Sequence, residues 1–421
     1  MNGNLPMLTG YRVLDITQIV AGPTCTRILA ELGAEVIKIE LAPHGDRTRA
    51  GGIRPRQAPF EKSSQSTYFY QHNHSKKSIA LNFKRPESIE LIKSLVKDAD
   101  ILVENFTPGV MARSGLDYET LKAINPRLIM CSISLAGQSG PLKAKPGYDY
   151  IGQAYAGITD LIGEPDGDPA LITMAIGDCA TGMAAAMAIS FALLHRERTG
   201  EGQYVEASLL DTYFQMHERN VPRVSLLGPD FNPKRTGSQH PDGGPTGVFR
   251  HPDGTFLTLA VLPHQWEQFV RALDLPDLAT DPRFATARLR RENNAQLKPI
   301  VEDWLAKFPN RDEAMSTLGR ERIPCAPVLT LHEATQHPHL RERGTVRRVH
   351  DNHLGDFDIP GFPTKFSRWD TAKDLQAPLL GQHNSEVLGE LLGLSEAQIA
   401  ALYKDGVLVQ DPLAASPKQP A

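Results

Sequence analysis

Segments typical of β-strands alternate with segments typical of helices through the first third of the chain, and this alternation constrains the fold most strongly. RVLDI at 12–16 and EVIKI at 35–39 are predicted strands, and the stretch 23–32 between them is a predicted helix. Such a βαβ unit implies parallel strands joined by a right-handed crossover. The pattern continues with strands predicted over 77–83, 101–104 and 128–134 and helices over 86–98 and 116–124. The sequence therefore predicts an α/β fold with a large, Rossmann-like parallel-sheet domain.

An apolar helix is predicted from Cys179 to Arg198. Its stretch 184–194 has no charged residue, so we expect the helix to be buried nearly all round. About a dozen apolar residues are too few to cross a bilayer, which favours a place in a domain core. Gly182 would let a neighbouring backbone approach closely, and Gly200 suits a left-handed helix end.

Asp178 is predicted to be the N-cap of this helix, beside backbone N–H groups that have no partner within the helix. Two roles fit that position. A capping carboxylate would stabilise the helix by about 1 kcal/mol. A carboxylate nucleophile would have the nearby amides and the helix dipole to receive an oxyanion. The spacing alone leaves both roles open.

Composition and charge exclude some classes of function. The 421 residues are enough for two or three domains, and a formal net charge of −4 gives no electrostatic case for binding nucleic acid or an anionic membrane. We find no apolar run of about eighteen residues and no secretory signal pattern, and therefore expect a soluble protein. The cysteines form no metal-type pair and indicate a reducing compartment, so we expect a cytoplasmic protein without a metal site. Cys179, at the helix start, could be an acidified thiol or a packing residue.

A ligand site is predicted at the turn 17–23, TQIVAGP, which lies at the carboxyl end of the first strand. Glu40 follows the second strand, where dinucleotide-binding folds place the acid that binds the ribose. The turn has a single glycine, Gly22, and lacks the G-x-G-x-x-G fingerprint. The sequence therefore argues against a nicotinamide or flavin site.

The character of the sequence changes after about residue 220. Strand patterns at 248–250 and 255–261 flank HPDG at 251–254, which predicts a hairpin. Helices are predicted over 264–273, 294–307 and 311–318, which makes this region a small α+β domain. The predicted division is the N-terminal part of the large domain over 1–225, the small domain over 226–330, and a C-terminal part over 331–421 that returns to the large domain. We expect the end of the chain, 414–421, to be loosely held.

A series of short motifs runs through nearly the whole chain. They are LD at 14–15 through GP at 22–23, LGAEVIKIE at 32–40, GD at 45–46, TR at 48–49, 73–82 with Lys84, VENF at 103–106, PG at 108–109, INPRLI at 124–129, GD at 177–178, RTG at 198–200, GQ at 202–203, Pro324, PV at 327–328 and 378–383. The set resembles the class III coenzyme A transferases, the family of formyl-CoA:oxalate and carnitine CoA-transferases, and follows the family's order.

The resemblance implies an interlocked homodimer, in which each chain is a ring threaded through the other. It also implies that Asp178 is the nucleophile, that the substrates are an acyl-CoA and a free carboxylic acid, and that no cofactor is tightly bound. The residues implied to line the CoA cleft are Ile19, Val20, Ala21, Leu81, Asn82, Phe83, Lys84, Asn105, Phe106 and Arg113. Lys145 is a further candidate partner for a CoA phosphate, and each of these basic side chains could instead be a solvated surface group.

Tyr68 and Tyr148 match tyrosines that line the acid pocket of the oxalate enzymes, which favours a small dicarboxylate such as oxalate as the acid. The implied chemistry passes through covalent intermediates on Asp178, and an aspartate of ordinary pKa is ionised at pH 7. The helix amides after Asp178, or Gln18, could donate to the oxyanions. The chain departs from the oxalate enzymes at Leu41 and Val20, where they have arginine and glutamine. Gly243-Gly244 is a short counterpart of their glycine-rich loop.

Two alternative functions fit the same motifs. An α-methylacyl-CoA racemase would need a second proton-transfer group, which that branch supplies as His-Asp where this chain has Tyr148-Asp149. A tyrosine is a poor base for removing an α-proton at neutral pH, which disfavours the racemase. A non-catalytic CoA-binding protein would bind CoA without exchanging it onto any acid.

Overall fold

The computed structural model describes residues 5–55, 63–241, 243–369 and 375–414, and these residues form two compact units. The first unit is made of the described residues of Met1–Ile158, Ile172–Val221 and Pro338–Ala421, so it contains both the first and the last of the described residues. The second unit is made of the described residues of Thr159–Leu171 and Pro222–His337. The segment 159–171 was predicted from the sequence to lie with the N-terminal part. The predicted boundaries at 225/226 and 330/331 stay predictions.

Eleven strands are named here for the described residues. They are β1 (Arg12–Ile16), β2 (Glu35–Leu41), β3 (Lys77–Leu81), β4 (Ile101–Glu104), β5 (Ile129–Ser134), β6 (Tyr204–Ser208), β7 (Thr246–Arg250), β8 (Phe256–Ala260), β9 (Cys325–Pro327), β10 (Val346–Asp351) and β11 (Gly355–Pro360). The first six form one sheet in the order β3-β2-β1-β4-β5-β6, with every neighbouring pair parallel. This is the doubly wound order of a Rossmann-type sheet, and it confirms the predicted fold class.

The helices connect and cover these strands. They are α1 (Ala21–Glu31), α2 (Thr67–Asn73), α3 (Pro86–Val96), α4 (Val110–Arg113), α5 (Tyr118–Ile124), α6 (Asp149–Tyr155), α7 (Ile176–Thr199), α8 (Leu209–Gln215), α9 (Asn220–Leu227), α10 (Trp266–Leu273), α11 (Asp277–Thr280), α12 (Ala287–Glu292), α13 (Asn294–Leu305), α14 (Arg311–Arg320), α15 (Leu331–Gln336), α16 (Pro338–Glu342), α17 (Asn384–Leu392) and α18 (Glu396–Lys404).

The parallel sheet has an apolar layer on each face because successive strand residues point to opposite sides. Val13 and Val103 pack with α1 and α7 on one face. Leu14 and Leu102 pack on the other face with α3, α5, α17 and α18. Both faces are therefore buried, as expected for a parallel sheet with βαβ crossovers.

Helix α7 differs from its prediction in its length and in its exposure to solvent. It has 24 residues and begins at Ile176, and by length and composition it is long enough to cross a membrane. Its small residues pack against α1, and a side chain at Gly182 would come within 2.6 Å of the Ala21 carbonyl oxygen, which confirms the predicted close approach. The prediction of burial all round is wrong for the single chain, because Met187 and Phe191 are 57% and 64% exposed.

The second unit contains an antiparallel sheet in the order β7-β8-β9, and the predicted hairpin is confirmed as β7 and β8. Phe249 and Leu257 of this sheet pack against Phe269 and Trp304 of the helices. In the first unit, β10 and β11 form a hairpin that sequence reasoning missed. VRRVHD and GDFDIP carry several charged residues and show little of the apolar alternation that predicts a strand. Of the predicted loose end, 414–421, all but Ala414 lies outside the described residues.

Candidate active site

A cleft lies at the carboxyl ends of β1, β4 and β5, where the order of the sheet reverses. Its volume is about 470 Å³ including the open mouth. Open α/β sheets bind their ligands at this kind of position. Seven residues predicted from the sequence meet here, namely Gln18, Ile19, Val20, Ala21, Asn105, Tyr148 and Asp178. The remaining lining comes from Ile133, Ser134, Leu135, Gly147 and Leu209.

The turn after β1 is tied to the turn after β4. The side-chain carbonyl of Asn105 accepts from the backbone N–H of Gln18 at 2.8 Å, and its amide nitrogen donates to the Gln18 carbonyl at 2.7 Å. Asn105 therefore satisfies both backbone groups of one cleft residue. Phe106, the next residue, donates its backbone N–H to the Glu104 carboxylate at 2.8 Å. Burial raises the pKa of Glu104 to about 7.

Ile19 has a left-handed backbone, with φ of 71°. This conformation is strained for a β-branched residue and is found mainly where surrounding structure enforces it. The Asp46 carboxylate accepts from the Ile19 backbone N–H at 3.1 Å, and the Lys38 ammonium donates to the Thr17 carbonyl at 2.9 Å. Lys38 and Asp46 also form an ion pair of 3.0 Å, and both side chains are fully buried. A buried charge pair from β2 and the following turn therefore fixes the backbone that lines the cleft.

Asp178 is the third residue of α7, and the prediction that it is the N-cap is wrong. The N-cap is Ala175, which has no side-chain oxygen. Two side chains from other helices satisfy the first amides instead. The Tyr213 hydroxyl accepts from the Gly177 N–H at 2.9 Å, and the Asp149 carboxylate accepts from the Asp178 N–H at 2.9 Å. A side chain at Gly177 would overlap the Tyr213 ring, so glycine is needed for this approach.

The Asp178 carboxyl is therefore not used as a cap, and it lines the cleft. Burial, followed by the negative charge of Asp149, raises its pKa to about 7. The expectation of an ionised carboxylate at pH 7 assumed an ordinary pKa, and burial beside Asp149 shifts the equilibrium of Asp178 towards its protonated form. Burial and the charge of Asp178 also raise the pKa of the Cys179 thiol, so the predicted alternative of an acidified thiol is wrong.

The backbone amides at the start of α7 already have partners. Beyond the two described above, Ile176 donates to the Met174 carbonyl and Cys179 to the Ala175 carbonyl. An oxyanion could use these amides only by breaking the existing bonds, which disfavours them as the predicted donors. Gln18, the other predicted donor, lines the same cleft as Asp178.

The other predicted CoA residues lie outside the lining of the cleft. Lys84, Arg113 and Lys145 are exposed, and Asn82 accepts from the Lys84 backbone N–H at 3.1 Å. Leu81 is fully buried in the core, and Phe83 and Phe106 pack against that core. Their roles in CoA binding stay predictions.

Both predicted acid-pocket tyrosines are close to charged groups of the site. Burial and the charge of Asp178 raise the pKa of Tyr68. Tyr148 is 58% exposed, and its hydroxyl accepts from the Arg47 guanidinium at 3.2 Å. Arg47 was not singled out from the sequence, because a single arginine in a polar loop has no distinguishing pattern.

Other functional residues were also missed at the sequence level. Asp149, Gln153 and Tyr213 come from two short helices, and only the tertiary structure brings them to the start of α7. Glu40, the position of a ribose-binding acid in dinucleotide folds, is buried and accepts from Arg49 at 2.6 and 2.8 Å. The Glu40 carboxylate is therefore engaged in an ion pair with Arg49.

Comparison with known proteins identifies the family. A model of CoA-transferase family III matches residues 8–384. The chain belongs to CoA-transferase family III. It is 35% identical to succinyl-CoA:glutarate CoA-transferase of Mus musculus over 405 residues, which cover 96% of this chain and 90% of the relative. It is also 35% identical to formyl-CoA:oxalate CoA-transferase of Escherichia coli O157:H7, covering 94% of this chain and 98% of the relative.

A solved structure supports the same assignment. The crystal structure of a CAIB/BAIF family protein from Brucella suis matches with a TM-score of 0.79 and 34% identity, covering 92% of this chain and 100% of that protein. This family III CoA-transferase thus uses CoA thioesters as substrates. Within the described ranges, no group of three His, Cys, Asp or Glu side chains is placed to hold a metal ion.

Proposed function

We propose that this CoA-transferase moves CoA from an acyl-CoA to a small dicarboxylic acid through covalent intermediates on Asp178. The main support for the proposal is the position and surroundings of the Asp178 carboxyl. It lines the cleft at the switch point of the sheet, and no basic residue is among the residues that line this cleft. A half-buried carboxylate without a cationic partner retains its basicity and is available to attack a carbonyl.

The proposed reaction has four steps, each of which transfers an acyl group. An oxygen of ionised Asp178 bonds to the acyl carbon, and the carbon–sulfur bond breaks to release CoA thiolate. The thiolate attacks the aspartyl carbon of the mixed anhydride, which releases the first acid as its carboxylate and leaves a thioester on Asp178. The acceptor carboxylate then attacks that thioester and releases thiolate, forming a second anhydride. The thiolate attacks the acceptor's acyl carbon, giving the new acyl-CoA and free Asp178.

Arg47 supports a dicarboxylate as the acid. Its guanidinium reaches the Tyr148 hydroxyl at the edge of a cleft that otherwise carries a negative charge on Asp178. When one carboxylate of the acid occupies the reaction centre, a second carboxylate at this edge would have a guanidinium partner, which is the preferred partner of a carboxylate. The relatives named for glutarate and oxalate indicate dicarboxylates of five or two carbons.

A panel of acids tests this assignment. With succinyl-CoA as the donor, we expect oxalate, malonate and glutarate to be better acceptors than acetate or butyrate. In Arg47→Met, the KM of the best dicarboxylate is expected to rise about 10- to 100-fold, since a hydrogen bond to a charged group contributes about 1.5–3 kcal/mol. The KM of acetate in the same variant is the control and should change less than threefold. Equal losses for both acids would contradict recognition of a second carboxylate by Arg47.

We further propose a cytoplasmic, interlocked homodimer, as the family resemblance implies. The support in this chain is the exposed stripe of α7, formed by Met183, Met187, Phe191 and Leu194, which are 44%, 57%, 64% and 47% exposed. Their spacing places them on one face of the helix, and apolar patches of this kind mark protein interfaces. The free thiols at Cys25, Cys131, Cys179 and Cys325 agree with a reducing compartment.

Replacing Phe191 with aspartate should destabilise the dimer, because the variant would bury an unpaired charge in the apolar interface. Light scattering coupled to size-exclusion chromatography is expected to show monomer or aggregate in place of a dimer. Phe191→Leu keeps the apolar surface and is expected to remain dimeric. If Phe191→Asp gives the same dimer mass as the wild-type protein, the α7 stripe is not the interface.

A further inference from the structure

The start of α7 is held by a buried side chain that is not among the site residues predicted from the sequence. Asp149 is the first residue of α6 and is 4% exposed. One of its carboxylate oxygens accepts from the Asp178 backbone N–H at 2.9 Å. The other accepts from the Tyr213 hydroxyl and from the Gln153 amide, each at 2.6 Å. The carboxylate thus has three donors around it but no cation among the contacts that the described residues make with it.

The partners of Asp149 extend this support along the segment that precedes α7. Gln153 donates to the Ile172 carbonyl at 2.9 Å and accepts from the Ile172 N–H at 3.2 Å. Tyr213 accepts from the Gly177 N–H. Asp149, Gln153 and Tyr213 therefore bind the backbone at 172, 177 and 178, which fixes the position of the Asp178 side chain in the cleft.

We propose that Asp149 is a positioning residue for the transfer reaction, which holds the backbone of the nucleophile and whose negative charge keeps the Asp178 carboxylate reactive. This inference rests on the proposed role of Asp178 as the nucleophile. A hydrogen-bonded cap such as serine or asparagine could also hold the amide. A carboxylate adds a like charge next to Asp178, and this repulsion is present only while Asp178 is ionised.

The like charge favours the covalent steps. Free Asp178 carries a negative charge, whereas the aspartyl group of the mixed anhydride and of the thioester is neutral. When the Asp178 oxygen bonds to the acyl carbon, the charge leaves with the thiolate, and the repulsion from Asp149 is relieved. The ionised nucleophile is thereby raised in free energy relative to the intermediates, and a more basic carboxylate is the stronger nucleophile.

Among the described residues, only a small set of titratable groups lies around Asp178, so the effect of Asp149 should be measurable. They are Tyr68 of α2, Tyr148 and Asp149 at the start of α6, Tyr213 of α8 and Cys179 of α7, with Arg27 of α1 acting on Cys179. Burial and then Asp149 raise the pKa of Asp178 to about 7. The wild-type rate of acylation is therefore expected to fall as the pH drops through 7, because the protonated carboxyl cannot attack.

Asp149→Asn tests the proposal through the pH profile of single-turnover acylation, measured by trapping the Asp178 adduct after mixing with acyl-CoA. Removing the charge lowers the pKa of Asp178, so the loss of rate on the acid side of the profile should move to lower pH by about one unit. The rate at pH 8 should fall by up to tenfold, because the carboxylate becomes less basic. Asp149→Glu restores the charge and is expected to return the loss of rate to near pH 7. A folded Asp149→Asn variant with an unchanged profile and rate would overturn the proposal.

Tyr213→Phe provides the second test, and it applies even if Asp149→Asn fails to fold. This variant removes the hydroxyl that joins Asp149 to Gly177 and leaves the charge of Asp149 in place. We expect kcat to fall at least fivefold while the KM of acyl-CoA stays within twofold; an unchanged kcat would contradict the positioning role.

If the wild-type enzyme forms no Asp178 adduct, the proposed function itself fails, whereas normal adducts in every Asp149 variant refute only this inference.

Discussion

Replacing Asp178 with asparagine is expected to abolish CoA transfer while leaving CoA binding intact. Removing the nucleophile of a covalent mechanism costs roughly 10⁴-fold or more in kcat. Asparagine has nearly the same shape, so the cleft should keep its structure. The Asp178 N–H that donates to Asp149 belongs to the backbone and is retained in the variant. Initial rates with several acid acceptors, together with calorimetric titration of CoA, measure the two properties separately.

Asp211→Asn is the matched control for this variant. Asp211 also stands in the first turn of its helix, α8, but it is exposed and its carboxylate accepts from the Ser208 hydroxyl at 2.6 Å. We expect this control to keep at least half of the wild-type rate. Loss of transfer and CoA binding together in Asp178→Asn would indicate a damaged cleft. Near-normal transfer in Asp178→Asn would leave Asp178 with a structural role only.

The second large effect is expected for Lys38→Met. The Lys38 side chain is fully buried and pairs with Asp46 at 3.0 Å and with Asp15 at 3.9 Å. Burial opposes its charge, but the attraction of Asp15 and Asp46 outweighs this and raises the pKa of Lys38. Removing one member of a buried ion pair leaves uncompensated charge and typically costs about 3–5 kcal/mol. We expect a fall of roughly 10 °C in the melting temperature of the first unit.

Lys77→Met is the control, since Lys77 lies on the neighbouring strand β3 and also makes two ion pairs. Its partners are Glu35 at 2.8 Å and Glu386 at 2.9 Å, and its side chain is 29% exposed. Ion pairs that water can reach contribute about 0–1 kcal/mol, so this variant should melt within about 3 °C of the wild-type protein. Equal melting temperatures for the two variants would show that the buried pair does not stabilise the fold.

Lys38→Met should also affect the cleft if it folds. The Lys38 ammonium donates to the Thr17 carbonyl, and Asp46 holds the strained Ile19 backbone. Loss of Lys38 therefore removes one restraint on the turn that lines the active site and leaves its partner unpaired. A higher KM for acyl-CoA at a temperature well below melting is the expected consequence.

The sequence predicted the sheet well because its strands are short, apolar and separated by clear helices. Ile101–Glu104 agrees with its prediction at both ends, and Arg12–Ile16 does too. The ligand edge followed from the same pattern, because the turn after β1 must lie at the carboxyl ends of the parallel strands. Chain order therefore located the turn 17–23 at the cleft, and the family resemblance added Asn105.

The contacts that position Asp178 and raise its pKa could not be predicted in this way. Asp149 and Asp178 are 29 positions apart, and only the packing of α6 and α8 against α7 brings Asp149 and Tyr213 to the helix start. A sequence pattern placed Asp178 beside free amides but could not show that other side chains already occupy them. It also predicted an apolar helix without showing which face remains exposed, since Phe191 and Ile189 are equally apolar in the sequence but only Ile189 is buried.

The most direct test of the central claim is chemical trapping on Asp178. The enzyme is mixed with succinyl-CoA in the absence of an acceptor acid, quenched with hydroxylamine, digested and analysed by mass spectrometry. We expect a hydroxamate at Asp178, formed from the aspartyl thioester, and none at Asp149 or Asp211. An enzyme that transfers CoA at full rate but yields no adduct on Asp178 under these conditions would contradict the covalent role assigned to this residue.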